Sequence, residues 1–325
     1  MRRYDAVALG ELLIDFTACG ESKSGIPRYE ANPGGAPCNV MAQMSRLGRK
    51  TAFIGKVGDD DFGHRLRRVL RRIGISTEGL VLTHKAPTTL AFVHLGEGGE
   101  RSFSFVRNGS ADTLLAPGDI DASMIENCKI FHCGSISMTD EPSLSATRRA
   151  LDIAVRAGTI VSVDPNLREP LWPNLERARE AIWELVKFAD IVKISDCELE
   201  FLYGSNDVAD CAARLIESTR AALVFATCGS GGALLRTAGA CYRHEAFTEV
   251  DAIDTTGAGD SFLGAALSRL LAIDKLKLTD DEAMDVLRYA NAAAATVITR
   301  HGAILSMPEE AEIEALIRNH MEAKK

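Results

Sequence analysis

The chain has 325 residues, of which 46% are hydrophobic and 25% are charged. These proportions are typical of a globular protein and exclude a disordered, fibrous or membrane-embedded chain. Acidic residues outnumber basic ones by 45 to 37, which gives a net charge of −8. Because binding to nucleic acid or to an anionic membrane requires concentrated basic surface, we expect neither as a partner.

Neither a secretion signal nor a disulfide framework is apparent in the sequence. Glu11 and Asp15 interrupt the apolar stretch at residues 6–10 before it reaches the length of a signal peptide. The eight cysteines are scattered and include no C-x-x-C pair, so we interpret them as reduced thiols. From these features we expect a cytoplasmic protein.

The first third of the chain alternates between apolar stretches and helical patterns. Strands are predicted at 6–10 and 51–57, and helices at 36–47 and 59–73. Two further strands, at 88–95 and 101–107, flank a glycine-rich turn, which is a typical hairpin pattern. Phe103, Phe105 and Arg107 alternate along one face of the second strand. This hairpin is either a flap over a site or an edge element that packs its aromatic rings on the core.

From residue 129 onward, short apolar strands alternate with helices. The strands are predicted at 129–133, 159–163, 190–194 and 222–227, and the helices at 143–157, 174–188 and 208–217. This alternation predicts a doubly wound, mainly parallel α/β sheet flanked by helices. A strand at 250–253 precedes two C-terminal helices, one starting near Gly257 and one at 279–299, which Thr279 and Glu282 open as a capping box. Ligands bind at the carboxyl ends of such strands, so the residues that follow each strand are candidates for a site.

The segment after residues 250–253 reads DTTGAGDSF. Gly257, Ala258 and Gly259 form a tight turn directly before a helix, whose first amide groups provide a site for a phosphoryl group. Asp260 would lie beside that site, where it can accept a proton from an attacking alcohol. The alternative is a plain loop with Asp260 as a helix-capping residue. The sequence contains no P-loop and no G-x-G-x-x-G motif.

Other strand ends carry further polar groups. Arg168 follows the strand at 159–163 and is either a clamp for a phosphate group or a solvated surface residue. The acidic segment 195–198 suits a helix cap or Mg²⁺ held through water, and a nucleotide could lie against the glycine turn 229–232. In the N-terminal half, Asp15 and the segment 32–39 provide donors and acceptors for a polyhydroxylated ligand, or else a capping turn.

Together these segments resemble the ribokinase-like (PfkB) carbohydrate kinases, and among them the fructokinases most closely. The resemblance runs in order through GELLIDF (10–16), NPGGAPCNV (32–40), FIGKVGDDDFG (53–63), RNGSAD (107–112), FHCGSIS (131–137), DPNLREPLW (164–172), KISDCELEFL (193–202) and DTTGAGDSF (254–262). It implies one α/β kinase domain over 1–325, with a small β-sheet lid formed from about 12–34 and 86–112.

The resemblance also implies roles for individual residues. Asp260 matches the catalytic base, and the residues near the transferred phosphate are Gly257, Ala258, Gly259 and Arg168. The matching sugar contacts are Asp15, Gly34, Gly35, Asn39, Phe105 and Arg107. The ATP pocket corresponds to Lys193, Ser195, Thr227, Gly229, Gly232 and Asn291.

Two metal sites follow from the same resemblance. Glu198 matches a residue that contacts Mg²⁺ through water, although Ser195 replaces the asparagine that many relatives have in an N-x-x-E motif. A monovalent-cation site, which in relatives uses mainly backbone carbonyls, corresponds to Asp254, Thr256, Val297, Arg300, Gly302 and Ser306.

The resemblance implies transfer of a phosphoryl group from ATP to D-fructose, giving D-fructose 6-phosphate and ADP, with Mg²⁺ and K⁺ as ions. The alternatives are a kinase of 2-keto-3-deoxygluconate or of another sugar or nucleoside, and a sugar-binding regulator without catalytic activity. A homodimer that forms through the lid is a further expectation, made by analogy with the family.

Overall fold

The structure is a computed structural model that describes residues 2–95 and 101–323. Its strands in chain order are β1 (Tyr4–Leu9), β2 (Leu13–Glu21), β3 (Pro27–Gly34), β4 (Thr51–Gly58), β5 (Ser76–Thr83), β6 (Leu90–Leu95), β7 (Arg101–Val106), β8 (Cys128–Gly134), β9 (Ile160–Asp164), β10 (Ile191–Ser195), β11 (Leu223–Thr227), β12 (Ala233–Arg236) and β13 (Cys241–His244). Its helices are α1 (Ala36–Arg46), α2 (Asp61–Arg72), α3 (Ala122–Glu126), α4 (Ser143–Arg156), α5 (Leu175–Val186), α6 (Asp196–Tyr203), α7 (Val208–Ser218), α8 (Ala258–Ile273), α9 (Asp280–Val297) and α10 (Glu310–Ala323).

Nine of the described strands form one sheet, in the order β13-β12-β11-β10-β9-β8-β1-β4-β5. The pairs from β11 to β5 are parallel, whereas β12 and β13 are added antiparallel at one edge. The predicted doubly wound, mainly parallel sheet is therefore confirmed. The chain moves from β1 to β4 on one side and returns beside β1 as β8 on the other. Ligands bind at the carboxyl end of such a switch point.

A second, smaller sheet has the strand order β3-β2-β6-β7. Its β6 and β7 strands pair antiparallel, with Leu90 opposite Val106 and Leu95 opposite Arg101, as the hairpin pattern predicts. The predicted turn at 96–100 lies outside the described residues. Phe16 of β2 stacks on Phe92 of β6, with ring centroids 5.1 Å apart. Because β2 begins shortly after β1 ends, this sheet lies beside the carboxyl edge of the large one.

The structure differs from the sequence prediction in several elements. The local pattern did not predict strands β5, β12 and β13 or helices α3 and α10, and the strand expected at 250–253 does not form. Strands β2 and β3 lie in the segment 12–34, which only the family resemblance assigned to a β-sheet lid. The amides of Ile253 and Asp254 instead donate to the carbonyl of Ile298, at 2.8 and 3.0 Å. The residue just after α9, rather than a neighbouring strand, provides the partner for this segment.

The predicted start of α9 is confirmed. The amide of Thr279 donates to Glu282 Oε2 at 2.8 Å, and the amide of Glu282 donates to Thr279 Oγ1 at 3.3 Å, which is the reciprocal pattern of a capping box. Among the helices of the described residues, none is both long and apolar enough to cross a membrane.

Helices α1 and α8 pack closely against each other. A Cβ atom at Gly264 of α8 would lie 2.6 Å from Cβ of Gln43 on α1, so the glycine permits this contact. The Gln43 amide is buried and uses both ends, because Oε1 accepts from Ser261 Oγ (2.9 Å) and Nε2 donates to the Pro308 carbonyl (3.0 Å). The first turns of both helices therefore keep a fixed relative position.

Candidate active site

A cavity of about 790 Å³ opens at the carboxyl edge of the large sheet. Its wall combines residues that follow β1, β9 and β10 with the first turns of α1 and α8 and with β7 of the small sheet. The residues predicted from the sequence that line it are Asp15, Gly35, Asn39, Phe105, Arg168, Lys193, Ser195, Glu198, Thr256, Gly257, Ala258, Gly259 and Asp260. One cavity thus contains the residues predicted for base, phosphate and sugar functions.

Helix α8 begins without a side-chain cap. Its N-cap residue, Gly257, has a φ of 80°, a left-handed conformation that glycine adopts without strain. By contrast, Thr279 caps α9 and Ser195 caps α6 through their own side chains. The amide of Ala258 donates to the Thr255 carbonyl at 3.3 Å, whereas the amides of Gly259 and Asp260, which follow it in the first turn, are available to an anion that enters the cavity.

Asp260 lies in the first turn of α8 and faces Asn39 of α1. Asn39 Nδ2 donates a hydrogen bond of 2.7 Å to Asp260 Oδ2. Desolvation raises the pKa of Asp260, although this hydrogen bond and the positive charges of Lys193 and Arg168 oppose the rise. Because a carboxylate with a raised pKa accepts protons more readily than an ordinary one, Asp260 is suited to act as a general base.

Lys193 reaches the start of α8 from the middle of β10. Its Nζ lies 3.0 Å from Oδ2 of Asp164, at the end of β9, and a Cβ atom on Gly259 would lie 2.8 Å from Nζ. Burial lowers the pKa of Lys193, but three nearby carboxylates, Asp164 foremost, raise it above its ordinary value. The ammonium group therefore stays charged beside α8, where it can neutralise part of the charge of a phosphate.

Arg168 is carried by the loop that follows β9. Its Nη1 donates to the Leu167 carbonyl at 3.0 Å, and the amide of Leu167 donates to Glu198 Oε1 at 2.7 Å. A 3-10 turn at residues 169–171 follows, and Trp172 ends it with its ring 9% exposed. The loop is therefore tied to the start of α6, with the guanidinium of Arg168 at the cavity wall.

Oxygen acceptors mark the end of the cavity beside the small sheet. Asn39 Oδ1 is buried and has no hydrogen-bond partner among the described residues. Desolvation raises the pKa of Asp15 to about 7, although the positive charge of Arg168 opposes the rise. A Cβ atom on Gly34 would lie 2.1 Å from Asp15 Oδ2, so glycine leaves the room that this carboxyl occupies. Such acceptors suit the hydroxyl groups of a sugar.

The structure places Arg107 differently from the predicted sugar contact. Arg107 is 6% exposed and is not part of the cavity wall. Its guanidinium donates to Asp112 Oδ2 (2.7 Å), Thr139 Oγ1 (2.7 Å) and the Ile136 carbonyl (3.0 Å). The strand β7 ends at Val106, so the alternation that would align Arg107 with Phe105 stops one residue too early. A buried ion pair with Asp112 takes the place of the predicted contact.

The residues predicted for the ATP pocket divide into two groups. Lys193 and Ser195 line the cavity, whereas the others lie outside its wall. Thr227 ends β11 opposite Ser195, followed by a turn in which Gly229 and Gly232 have φ values of 53° and 84°. Asn291 donates from Nδ2 to the carbonyls of His244 (3.1 Å) and Glu245 (3.4 Å). In this structure Asn291 therefore holds the chain after β13.

Both carboxylate oxygens of Glu198, the residue predicted to contact Mg²⁺ through water, accept hydrogen bonds from the protein. Its Oε1 accepts from the Leu167 amide, and its Oε2 accepts from the Ser195 amide (2.8 Å) and hydroxyl (2.9 Å). Among the described residues, no group of three or more His, Cys, Asp or Glu side chains could hold a metal ion. The oxygens of this region therefore suit a hydrated ion that is held mainly by another ligand.

The residues predicted for a monovalent cation converge around Asp254, which is 3% exposed. Asp254 accepts from the amides of Thr256 (2.8 Å) and Gly302 (3.1 Å), and Ser306 Oγ donates to the Gly302 carbonyl (2.7 Å). Main-chain carbonyls at Val297 and Arg300 belong to the same turn region, where the Arg300 amide donates to the Val297 carbonyl (3.2 Å). A buried carboxylate among carbonyl oxygens fits the chemistry of a monovalent cation.

Two residues of the site were not singled out from the sequence. Asp164 is the partner of Lys193, and desolvation raises its pKa to about 7. Glu11 lines the cavity, and desolvation raises its pKa to about 7 as well. Glu11 lies in GELLIDF (10–16), shortly after β1, and Asp164 opens DPNLREPLW (164–172) at the end of β9. An acidic residue at the end of a strand is the sequence feature that points to both.

Comparison with known proteins agrees with this fold and site. The sequence profile of the pfkB family of carbohydrate kinases matches residues 4–310. Fructokinase-2 from Solanum lycopersicum is 43% identical over 316 residues, which cover 96% of this chain and 95% of the relative.

Solved structures are similar over nearly the whole chain. A fructokinase from Xylella fastidiosa with bound ATP has a TM-score of 0.88 and 34% identity, with 98% of this chain and 99% of that one covered. A double mutant of the fructokinase from Vibrio cholerae O395, in a form that binds fructose, ADP and potassium ion, has a TM-score of 0.86 and 31% identity, with 97% and 99% covered. Fold and site are those of a sugar phosphotransferase. The chain belongs to the pfkB family of carbohydrate kinases.

Proposed function

We propose that this protein is an ATP-dependent fructokinase that converts D-fructose and ATP into D-fructose 6-phosphate and ADP. The observation that carries the proposal is the position of Asp260, 2.7 Å from Asn39 and in the first turn of the uncapped helix α8. On one side of it lie acceptors for sugar hydroxyls, and on the other lies the ammonium group of Lys193. The fructokinase relatives support fructose as the substrate.

In this mechanism Asp260 accepts the proton of the 6-hydroxyl group as that oxygen attacks the γ-phosphorus of ATP. The bond between the γ-phosphorus and the bridging oxygen breaks, and ADP leaves with its electron pair. The amides of α8, together with Lys193 and Arg168, stabilise the negative charge on the transferring group. Asp15 and Asn39 hold the sugar so that its hydroxyl lies in line with the phosphate.

The residues present fit the two ions of the proposal to different degrees. Mg²⁺ would be held mainly by the phosphate oxygens of ATP and by water, with Glu198 as an outer contact, and it would neutralise phosphate charge. K⁺ would be held near Asp254 by the carbonyl oxygens of the segment 297–302. There this chain's own contribution is to fix the segment before α8, through the two amide hydrogen bonds to Asp254.

The charges around the cavity favour a neutral sugar over 2-keto-3-deoxygluconate. Five acidic side chains line the cavity, namely Glu11, Asp15, Glu169, Glu198 and Asp260. The guanidinium of Arg107, which could bind an acidic sugar, is already paired with Asp112 at 2.7 Å. Among the described residues that line the cavity, the cations are Lys193 and Arg168, and a sugar carboxylate would compete with the transferring phosphate for both.

We also propose that the sheet β3-β2-β6-β7 is a lid, formed from about 12–34 and 86–112 within a single kinase domain over 1–325. The lid would exclude water from the reacting phosphate.

We further propose that two copies of the chain associate through this lid, because its apolar side chains Ile26, Tyr29 and Val106 are 62%, 42% and 54% exposed. Sedimentation of the wild type as a dimer and of Tyr29→Glu as a monomer is the expected result, and a monomeric wild type would contradict it.

A cytoplasmic location completes the proposal. All eight cysteines, which lie within the described residues, are free thiols, and Cys19, Cys197 and Cys241 are exposed. Exposed free thiols are typical of a reducing compartment.

The test is ADP release by the purified protein with ATP, Mg²⁺ and K⁺. The sugars are fructose, 2-keto-3-deoxygluconate, ribose, adenosine and glucose, and a reaction without sugar is the blank. We expect turnover with fructose well above every other sample. Turnover with another member of the panel would retain the mechanism but overturn the choice of fructose. Folded protein that binds fructose without consuming ATP would favour the regulator instead.

A further inference from the structure

Glu11 holds the start of helix α1 although it belongs to a different segment. It lies just after β1 and is 3% exposed. Its Oε1 accepts a hydrogen bond of 2.8 Å from the amide of Ala36, the first residue of α1. The N-cap residue of α1 is Gly35, which provides no side-chain cap. Glu11 therefore satisfies an amide that a capping side chain satisfies in other helices.

The backbone around Glu11 is packed directly against the start of α1. Gly35 has a φ of 122°, and a Cβ atom on it would lie 2.4 Å from the Glu11 carbonyl oxygen. Further along the same helix, Gln43 is fixed to Ser261 and to the Pro308 carbonyl. Asn39 lies between these two attachments, about one helical turn from Ala36.

We propose that Glu11 is a positioning residue for the phosphoryl transfer. By holding the first turn of α1, Glu11 sets the position of Asn39, and Asn39 in turn sets the orientation of Asp260. This inference rests on the proposed function. Asn39 donates to Asp260 across 2.7 Å. A hydrogen bond of this kind is sensitive to small displacements of the donor, because both its length and its angle change.

The groups that face Asp260 allow the effect of Glu11 to be separated from other effects. Asn39 approaches Asp260 from α1, Lys193 from β10 and Arg168 from the loop after β9, and each of them lowers the pKa of Asp260. Two carboxyl groups, Asp15 of β2 and Asp164 of β9, also interact electrostatically with Asp260. Of all these groups, only Asn39 lies on α1. Loss of the Glu11 contact is therefore expected to weaken one stabilising contact of the Asp260 carboxylate and to leave the two cations in place.

The test compares the length of the Glu11 side chain with its ability to ionise. Glu11→Asp keeps the carboxyl group but shortens the reach to the Ala36 amide, whereas Glu11→Gln keeps the reach and the accepting oxygen but cannot ionise. For both variants, for Asn39→Ala and for Glu11→Asp combined with Asn39→Ala, kcat and kcat/KM for fructose are measured from pH 5 to 9. Asp207→Ala is the control, because Asp207 caps α7 by accepting from the amides of Ala209 and Asp210 and is not part of the cavity wall.

We expect Glu11→Asp to lower kcat roughly tenfold, the equivalent of one weakened hydrogen bond to a charged group, with a much smaller change in KM for ATP. The acid limb of its pH profile moves to higher pH, as it does in Asn39→Ala, and Glu11→Gln restores most of the wild-type profile. The doubly substituted protein has the limb of Asn39→Ala alone, because Glu11 acts through Asn39. Asp207→Ala lowers thermal stability without moving the limb.

Three results would overturn the inference while the proposed function stands. In the first, the acid limb of the pH profile of Glu11→Asp lies where it does in wild type. In the second, Glu11→Gln is as impaired as Glu11→Asp, and in the third, the shifts of the acid limb in Glu11→Asp and Asn39→Ala add up in the double variant. The two Glu11 substitutions are conservative in size, and the two alanine substitutions only remove side-chain atoms, so folded protein is expected for each variant, as circular dichroism would verify. A wild-type protein that phosphorylates no sugar would overturn the proposed function itself, and this inference with it.

Discussion

Asp260 combines the two properties that a general base for alcohol activation needs. It lies in the first turn of the uncapped helix α8, whose amides form the proposed phosphoryl site, and its pKa is raised by desolvation. The hydrogen bond from Asn39 fixes which of its oxygens remains available for the substrate. Base strength and orientation therefore come from different neighbours and can be altered separately.

The first prediction concerns the base itself. Asp260→Asn preserves the size of the side chain but removes its ability to accept a proton, so we expect kcat to fall by roughly 10² to 10⁴-fold. Binding of fructose and ATP, measured by titration calorimetry, should change little. Asp274→Asn, an exposed substitution at the other end of the same helix, is the matched control. Turnover of Asp260→Asn within tenfold of wild type would remove Asp260 from the role of base.

The second prediction concerns the buried pair of Lys193 and Asp164, whose charged atoms lie 3.0 Å apart. Lys193→Met leaves the Asp164 carboxyl buried without its partner, so we expect a loss of about 3–5 kcal/mol in the free energy of unfolding, as well as lost activity. Adding Asp164→Asn should restore most of the stability but none of the activity. Denaturant unfolding and steady-state kinetics separate the two effects. A double variant no more stable than Lys193→Met would argue against the pair.

At the level of elements, helix α8 has a glycine, Gly259, as its second residue, where an alanine would give a more stable helix. Glycine lowers the stability of a helix relative to alanine by up to about 1 kcal/mol, yet Gly259 leaves the space that Lys193 Nζ occupies. The third prediction follows from this contact. Gly259→Ala should displace the ammonium group, raise KM for ATP and lower kcat by roughly tenfold or more, while the melting temperature stays the same or rises.

The comparison variant is Gly239→Ala, because nothing lies within 4 Å of a Cβ atom at that exposed turn. We expect it to leave the kinetics unchanged. If Gly259→Ala has wild-type kinetics, the Lys193 ammonium group does not act at the start of α8.

The elements that the sequence predicts well are those with a strong local pattern. The strands and helices predicted between residues 129 and 227 are apolar runs and amphipathic stretches, and their alternation defines a parallel sheet without any knowledge of contacts. The local pattern did not predict strand β2, because its sequence LIDFTACGE is apolar only in its first half, and only the family resemblance assigned this segment to a β-sheet lid. Strand β2 pairs with its neighbour β3 on one side and with β6 on the other, and the β6 pairing depends on residues far along the chain.

The same limit applies within the site. The DTTGAGD segment carries the predicted base and the predicted phosphate groups within one turn, so local sequence is enough to predict them. Arg107 was assigned to the sugar through the family resemblance, and neither the resemblance nor the alternating pattern indicates that Asp112 and the carbonyl of Ile136 surround it. Glu11 was missed because its partner, the amide of Ala36, is a main-chain group that no side-chain pattern reveals.

For the molecule as a whole, the cavity groups make stability depend on pH. Desolvation raises the pKa values of Glu11 and Asp15 to about 7, against about 4 in an unfolded chain. Between these values the folded state holds protons that the unfolded state has released. The contribution of these groups to stability therefore decreases as pH rises from about 4 to about 7.

The fourth prediction isolates one of these groups. Asn is nearly isosteric with protonated Asp, so Asp15→Asn should have a melting temperature close to that of wild type at pH 5. At pH 8 the variant should be the more stable protein, because wild-type Asp15 is then a desolvated anion. Differential scanning calorimetry at pH 5 and pH 8 measures both melting temperatures. The control is Asp60→Asn, which removes an acid of lowered pKa and should therefore be less stable than wild type at pH 8. If the melting temperature of Asp15→Asn relative to wild type falls as pH rises, the pKa of Asp15 is not raised in the folded protein.

The loop that carries Arg168 ends at Trp172, one of the two tryptophans of the chain. The other, Trp183 on α5, lies edge-on against Tyr203 with ring centroids 5.5 Å apart. In a Trp183→Phe variant, all indole emission would come from Trp172, the residue that ends the loop carrying Arg168. Binding of each substrate would then be visible as a change in fluorescence, even in Asp260→Asn, in which no product forms. The order in which sugar and nucleotide bind could be read optically from a single rapid-mixing experiment.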